Sequence, residues 1–211
     1  MKKFFIALYA LAAMALFAHA REITVSIGAG DGWKSGHEPQ IAIWLEDEQG
    51  RYLKTLYVTQ KASGLSWFFG PKEGRPESLP VWYHASKHDS KKSAAKNDSP
   101  DQKEIDAVTS ATPKGGLVFK QNIDDTSCVI KVEVNASFDY NSVWTKKNSG
   151  VNGQPSLVYQ AALPAGQKEE VTLELSGSGS IDGSDGSVHK DVACIDSAKT
   201  LVRIINVVFM H

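Results

Sequence analysis

From Ile23 onward, apolar and polar side chains alternate along much of this chain. Ile23-Thr24-Val25-Ser26-Ile27 has period two, the mark of a strand with one buried face. Gln40 to Leu45 predicts a second strand, Glu48-Gln49-Gly50 a turn, and Tyr52 to Val58 the returning strand, in which Leu53, Leu56 and Val58 interleave with Lys54, Thr55 and Thr59. Further strands are expected at Gly116 to Ile123, Cys128 to Val134, Ser156 to Leu163 and Glu170 to Leu175. Cys128, Ile130, Val132 and Val134 face one way, Lys131 and Glu133 the other, and Val171, Leu173 and Leu175 repeat the pattern. Short strands, turn residues between them and no β-α-β alternation predict an all-β fold, an antiparallel β-sandwich. Near the end, Ile195, Ala198, Leu201, Val202 and Ile205 fall at helical spacing with Asp196 to cap or start them. One short C-terminal helix is therefore expected, before a last strand at Val207-Val208-Phe209.

Two stretches break the alternation. Gly64 to Trp82 is aromatic and Pro-broken, which predicts irregular cover over one end of a sheet; Trp82-Tyr83-His84 follows Pro80 and reads as extended. Lys87 to Lys103 holds no large apolar residue, so it has nothing to bury against its ordering entropy and reads as a solvated loop.

The first twenty residues form an export signal. Lys2 and Lys3 precede an apolar run from Phe4 to Phe17, and Ala18-His19-Ala20 offers small residues at the positions a signal peptidase reads. The run is shorter than the ~20 residues a membrane span needs. Cleavage before Arg21 leaves residues 21–211 as a single β-sandwich domain in the periplasm, with no membrane insertion after signal cleavage. Removing the two signal lysines from 23 basic residues leaves 21 against 24 acidic ones, a net of −3. That balance gives no field to attract nucleic acid or anionic lipid.

Chemistry is sparse. Cys128 and Cys194 invite a disulfide in an oxidising compartment, but two separate thiols fit the spacing equally. Asp182, Ser184 and Asp185 cluster oxygen ligands in a Gly-rich loop without EF-hand spacing, so a solvated turn is expected rather than a calcium site. His84 and His88 would share a face only on a helix, and His189 beside Asp191 makes no better metal pair. No Ser lies in a Gly-x-Ser-x-Gly elbow, and Gly28-Ala29-Gly30-Asp31-Gly32 is not followed by a helical pattern. No catalytic residue and no metal ligand is assigned.

The exception is Asp106-Ala107-Val108-Thr109-Ser110-Ala111-Thr112, followed by Pro113 and Gly115-Gly116. It resembles the acceptor motif of bacterial flavin transferases, in which an Asp leads a Thr/Ser-Gly-Ala-Thr run and the last Thr hydroxyl takes FMN through a phosphoester bond. Ser110 stands where that motif has Gly. The resemblance implies covalent FMN on Thr112, with Asp106 part of what the transferase reads. The residues alone allow another reading: Pro113 holds Thr112 extended at the start of a strand, and its side chain caps a backbone donor.

Three blocks widen the resemblance. Pro39 to Asp47 with Gly50 and Thr55-Leu56, then Asn152 to Tyr159, then Asp182 to Gly186 through Asp191 and Ala198, are similar in order and spread to a family of predicted periplasmic proteins of unknown function. Its members are often encoded beside PepSY-type membrane proteins and flavin transferases. The resemblance implies an immunoglobulin-like β fold, a cell-envelope redox or metal-uptake context, and a flavin transferase and PepSY-type membrane reductase as partners. Relatives tend to carry a Gly-His-Gly-His run where this chain has Gly177-Ser178-Gly179-Ser180, so a metal role resting on those histidines is not carried over. Two functions are open: a redox accessory with FMN on Thr112, or an envelope binding or structural module with no cofactor.

Overall fold

The computed structural model describes residues 20–34, 36–59, 62, 77–94, 108–110 and 114–210, with backbone alone at 88–94 and 108–110. Among the described residues ten strands make two sheets: β1 (Ala20–Ala29), β2 (Gln40–Glu46), β3 (Tyr52–Thr59), β4 (Val108–Ser110), β5 (Leu117–Asp124), β6 (Cys128–Asn135), β7 (Leu157–Leu163), β8 (Glu169–Thr172), β9 (Glu174–Ser178) and β10 (Val202–Met210). One sheet has the order β5-β1-β10-β8 and the other β4-β3-β2-β6-β7-β9. The sandwich expected from the alternation is therefore present.

Period-two patterning fixes the core. Ile23, Val25 and Ile27 of β1 and Ile205, Val207 and Phe209 of β10 turn inward from one sheet, against Ile41, Ile43, Ile130, Val132 and Val134 from the other. Each of these side chains is buried, worth ~1.5–3 kcal/mol apiece on transfer from water. The same parity carries Arg21 inward, to complete burial. Its guanidinium donates to the carbonyls of Leu163 at 3.2 Å, Thr126 at 3.1 Å and Pro164, lies 3.5 Å from Asp125, and sits 5.0 Å from the Phe209 ring centre. The residue expected to lead the mature chain thus plugs one end of the sandwich.

The six-stranded sheet is covered on its outer face as well, so every residue of β2 is buried. A second apolar cluster there joins Ala42, Trp44, Val58 and Val158 to Leu79, Val81 and Trp82. The cover is α1 (Pro80–Ala94), a helix where an extended segment and then a solvated loop were expected. Because β4 lies parallel to β3, with Ser110 opposite Thr59, β3-α1-β4 is a β-α-β crossover, which the alternation did not suggest.

Two further expectations are corrected. Glu170 to Leu175 is not one strand: β8 pairs with β10 and β9 with β7, so the chain changes sheet at Leu173. The C-terminal helix is one 3-10 turn at Ser197–Thr200, whose Asp196 cap accepts from Ser197 N; Val202 and Ile205 belong to β10. Both cysteines are free, Cys128 buried and Cys194 exposed.

Candidate functional site

Three regions of the six-stranded sheet collect candidate side chains, one at each end of β3 and one on the outer face beneath α1. At the end where β3 stops, β4 forms the sheet's outermost strand. Thr112, the expected FMN acceptor, and Asp106, expected to be read by the transferase, lie outside the described residues, as do residues 1–19 of the export signal. What is described brackets Thr112 closely. Ser110 ends β4 at the edge of one sheet, and Lys114 and Gly115 are exposed just before β5, the edge of the other. Residues 111–116, Thr112 among them, therefore link two edge strands. This end also gathers the start of β2 and the β6–β7 connection, since Ile41 N donates to Thr59 Oγ1 at 3.1 Å and Gln40 Nε2 to Ser137 Oγ at 2.9 Å.

On the outer face, α1 is anchored by a carboxylate from another element. Leu79 precedes the helix and Pro80 begins it, so no local side chain caps it. Glu133 of β6 supplies the cap: Oε2 accepts from Trp82 N at 2.8 Å, and Oε1 from Val81 N at 3.3 Å and Ser156 Oγ at 2.6 Å. Glu133 is fully buried, and burial pushes its carboxyl up to about 7 despite those donors and Lys131. Beside it, Lys131 Nζ meets Glu46 Oε2 at 2.7 Å, Trp44 Nε1 donates to Glu46 Oε1 at 2.8 Å, and Trp82 Nε1 donates to Thr55 Oγ1 at 2.8 Å. Each buried polar group so named has a partner, as a stable interior requires.

At the opposite end of β3, an open cleft of about 1040 Å³ lies between the β2–β3 turn, α1 and the loop at 184–188. Glu46, Asp47, Arg51, His84, Lys131 and Asp185 give it mixed charge, and Tyr52, Leu53 and Val188 apolar area. Its charges are mutually engaged. Asp47 pairs with Arg51 and is held below the usual carboxylate range, mainly by Arg51 N. Asp185 is lowered mainly by Ser187 N and stands 3.4 Å from His189 Nε2. The cleft can hold a small polar ligand.

The other candidate residues separate. His84 Nε2 sits 2.9 Å from Gly183 O, and the side chain of His88 lies outside the described residues, although the helix does put both positions on one face. Asp182 accepts from Ser184 N at 3.0 Å and Asp191 from Ala193 N at 2.9 Å, so these carboxylates serve their own turns. Among the described residues no group of three or more His, Cys, Asp or Glu could hold a metal ion. Sequence reasoning missed Arg21 and Glu133. Parity was the available signal for Arg21, two residues before Ile23 on the inward row; Glu133 had no local signal, because α1 itself was not foreseen.

The family model described as "Predicted periplasmic protein (DUF2271)" matches residues 20–131. That stretch spans β1 to the middle of β6 and contains α1 and β4. Neither the curated proteins nor the solved structures gave a match.

Proposed function

Because the chain belongs to the DUF2271 family of predicted periplasmic proteins, we propose that it is a periplasmic redox accessory carrying FMN covalently on Thr112. The observation that carries the reading is the bracketing of Thr112 by two edge strands, β4 and β5. An edge strand offers unpaired backbone groups to a second protein, and a modifying enzyme must draw the acceptor segment into its own active site. Ser110 and Ala111 are small enough to let it approach. Loading is a group transfer from FAD: the Thr112 oxygen bonds to the FMN phosphorus, the pyrophosphate link breaks, and AMP leaves with the hydroxyl proton going to solvent. Asp106 belongs to what the transferase reads. Once bound, the flavin supplies reversible electron transfer, with a PepSY-type membrane reductase as donor. The chain's own part is orientation: the crossover through α1 ties β4 to the sheet, and Glu133 ties α1 to β6.

The test is co-expression with a flavin transferase and intact-mass measurement. Wild type should gain one FMN and Thr112→Ala none, and Ser110→Gly, which restores the motif, should load at least as fully. An unmodified wild type removes the reading. A second reading, an envelope binding or structural module without cofactor, is favoured by the polar cleft beside α1. It expects wild type to stay unmodified in transferase-expressing cells.

A further inference from the structure

The β6–β7 connection caps the same end of the six-stranded sheet at which β4 stops. It is braced by its own hydrogen bonds: Phe138 N to Val151 O at 3.0 Å, Asn141 N to Trp144 O at 2.9 Å, Tyr140 Oη to Gly150 O at 2.6 Å, and Asn148 Nδ2 to Val143 O at 2.8 Å. It nevertheless leaves Phe138 53% exposed, Val143 43% and Val151 44%. Phe138 is also the one non-glycine residue with positive φ among those described, at 65°. A phenylalanine there is held against its backbone preference, and such strain concentrates at functional positions. The tip's cations, Lys146 and Lys147, are exposed. Its acid is turned inward, since Asp139 accepts from Ser197 Oγ at 2.7 Å and Gln154 Nε2 at 3.1 Å. Asp196, at the base, accepts from Asn141 Nδ2 at 3.1 Å and from Ser197 N.

We propose that this tip is a membrane-surface contact, in which Phe138, Val143 and Val151 enter the interfacial layer of an anionic phospholipid leaflet while Lys146 and Lys147 meet headgroup phosphates. Exposed apolar side chains beside exposed lysines are what such a layer accepts, whereas a purely apolar partner would leave both lysines unanswered. The net negative charge of the mature chain gives no long-range pull, so the attraction is local, within a Debye length of ~8 Å. The contact is peripheral: among the described residues no helix is long and apolar enough to cross a membrane. The contact rests on the tip alone and stands whether or not Thr112 is loaded, although it would bring the end of β4 towards a membrane reductase.

The experiment is co-sedimentation of the mature protein with vesicles of phosphatidylglycerol and phosphatidylethanolamine, and with phosphatidylcholine vesicles. Wild type should bind the anionic vesicles and bind the neutral ones several-fold less. Phe138→Gly should lower anionic binding at least about tenfold while melting no earlier than wild type, because glycine accepts the positive φ. Lys146→Glu with Lys147→Glu should lower it at least about tenfold. Absent binding, binding that these variants retain, binding indifferent to lipid charge, or binding only to vesicles holding a membrane protein overturns the proposal.

Discussion

Glu133→Gln separates charge from shape at the anchor of α1. In the folded chain the carboxyl has three donors around it, Val81 N, Trp82 N and Ser156 Oγ, yet burial raises it from an ordinary 4.5 to about 7. Ser156 explains how the neutral form is accommodated. At 2.6 Å its hydroxyl can reverse role and accept the carboxyl proton from Oε1, while Oε2 still receives Trp82 N. Only the longer contact from Val81 N is weakened. A glutamine copies that arrangement, with its amide nitrogen donating to Ser156 and its oxygen accepting from Trp82.

Between pH ~4.5 and ~7 the folded state therefore holds a proton that the unfolded chain has released. Stability from this group is complete below the unfolded value and is lost as pH rises through the folded one. A shift from 4.5 to about 7 corresponds to about 3 kcal/mol. Urea unfolding followed by tryptophan fluorescence, at about pH 5 and about pH 8, reads this as the difference between wild type and Glu133→Gln. The two should agree within about 1 kcal/mol at the lower pH, and the variant should be up to about 3 kcal/mol more stable at the higher one. Taking the difference cancels titrations elsewhere in the chain. A gap between the proteins that stays constant, or that moves in favour of wild type as pH rises, refutes the reasoning.

Other expectations follow from the same packing. Arg21→Met removes the buried donor to the Leu163, Thr126 and Pro164 carbonyls and the cation beside Asp125, which keeps the Gly166 N–H, and should cost about 3–5 kcal/mol by urea unfolding; a loss under about 1 kcal/mol would count against the plug. Gly179→Ala puts a Cβ 2.5 Å from both Pro80 Cγ and Ser156 Oγ, beside the α1 anchor, and should destabilise by about 1–3 kcal/mol; an unchanged midpoint would mean that the anchor yields freely. Cys194 should react with a thiol reagent in the native protein and Cys128 only after unfolding, because Cys128 is buried and burial, its largest influence, raises its thiol pKa. A non-reduced mass short of two hydrogen atoms would show instead that they bridge.

The parts of this fold legible in the sequence are those whose cause is local. Ile23 to Ile27 alternates because each side chain meets either core or solvent, and the hairpin through Gly50 is written in its turn residues; Gly50 adopts φ 75° as that turn needs. The misreadings share a distant cause. Pro80 suits a first helical position, but little else there announces a helix: Leu79 cannot cap it, and its later turns are polar. The group that satisfies its first donors is Glu133, 51 positions on from Trp82. The break at Leu173 is equally remote, since its N–H goes to Ile205 O at 2.9 Å while the strands on either side pair into different sheets. At the C-terminus two periods competed. Ile195, Ala198, Leu201 and Ile205 all reach the core, but the later part does so as a β-branched strand, and only Ser197–Thr200 coils.

That division between near and distant causes bears on the site. The resemblance to a flavin acceptor motif is a local signal, seven residues long, and reads without a structure. Its surroundings are not: β4 reaches the sheet edge only through a crossover over α1, and α1 is held by a residue from the far side of β2. A change at Glu133 can therefore alter how firmly β4 is presented without touching the motif itself. If Thr112 is the acceptor, Glu133→Ala, which leaves Val81 N and Trp82 N unanswered, should change the rate of FMN loading while Thr112→Ala abolishes it. Comparing initial loading rates of folded Glu133→Ala and wild type under one transferase decides this. Equal rates would show that the acceptor segment is presented independently of the helix that precedes it.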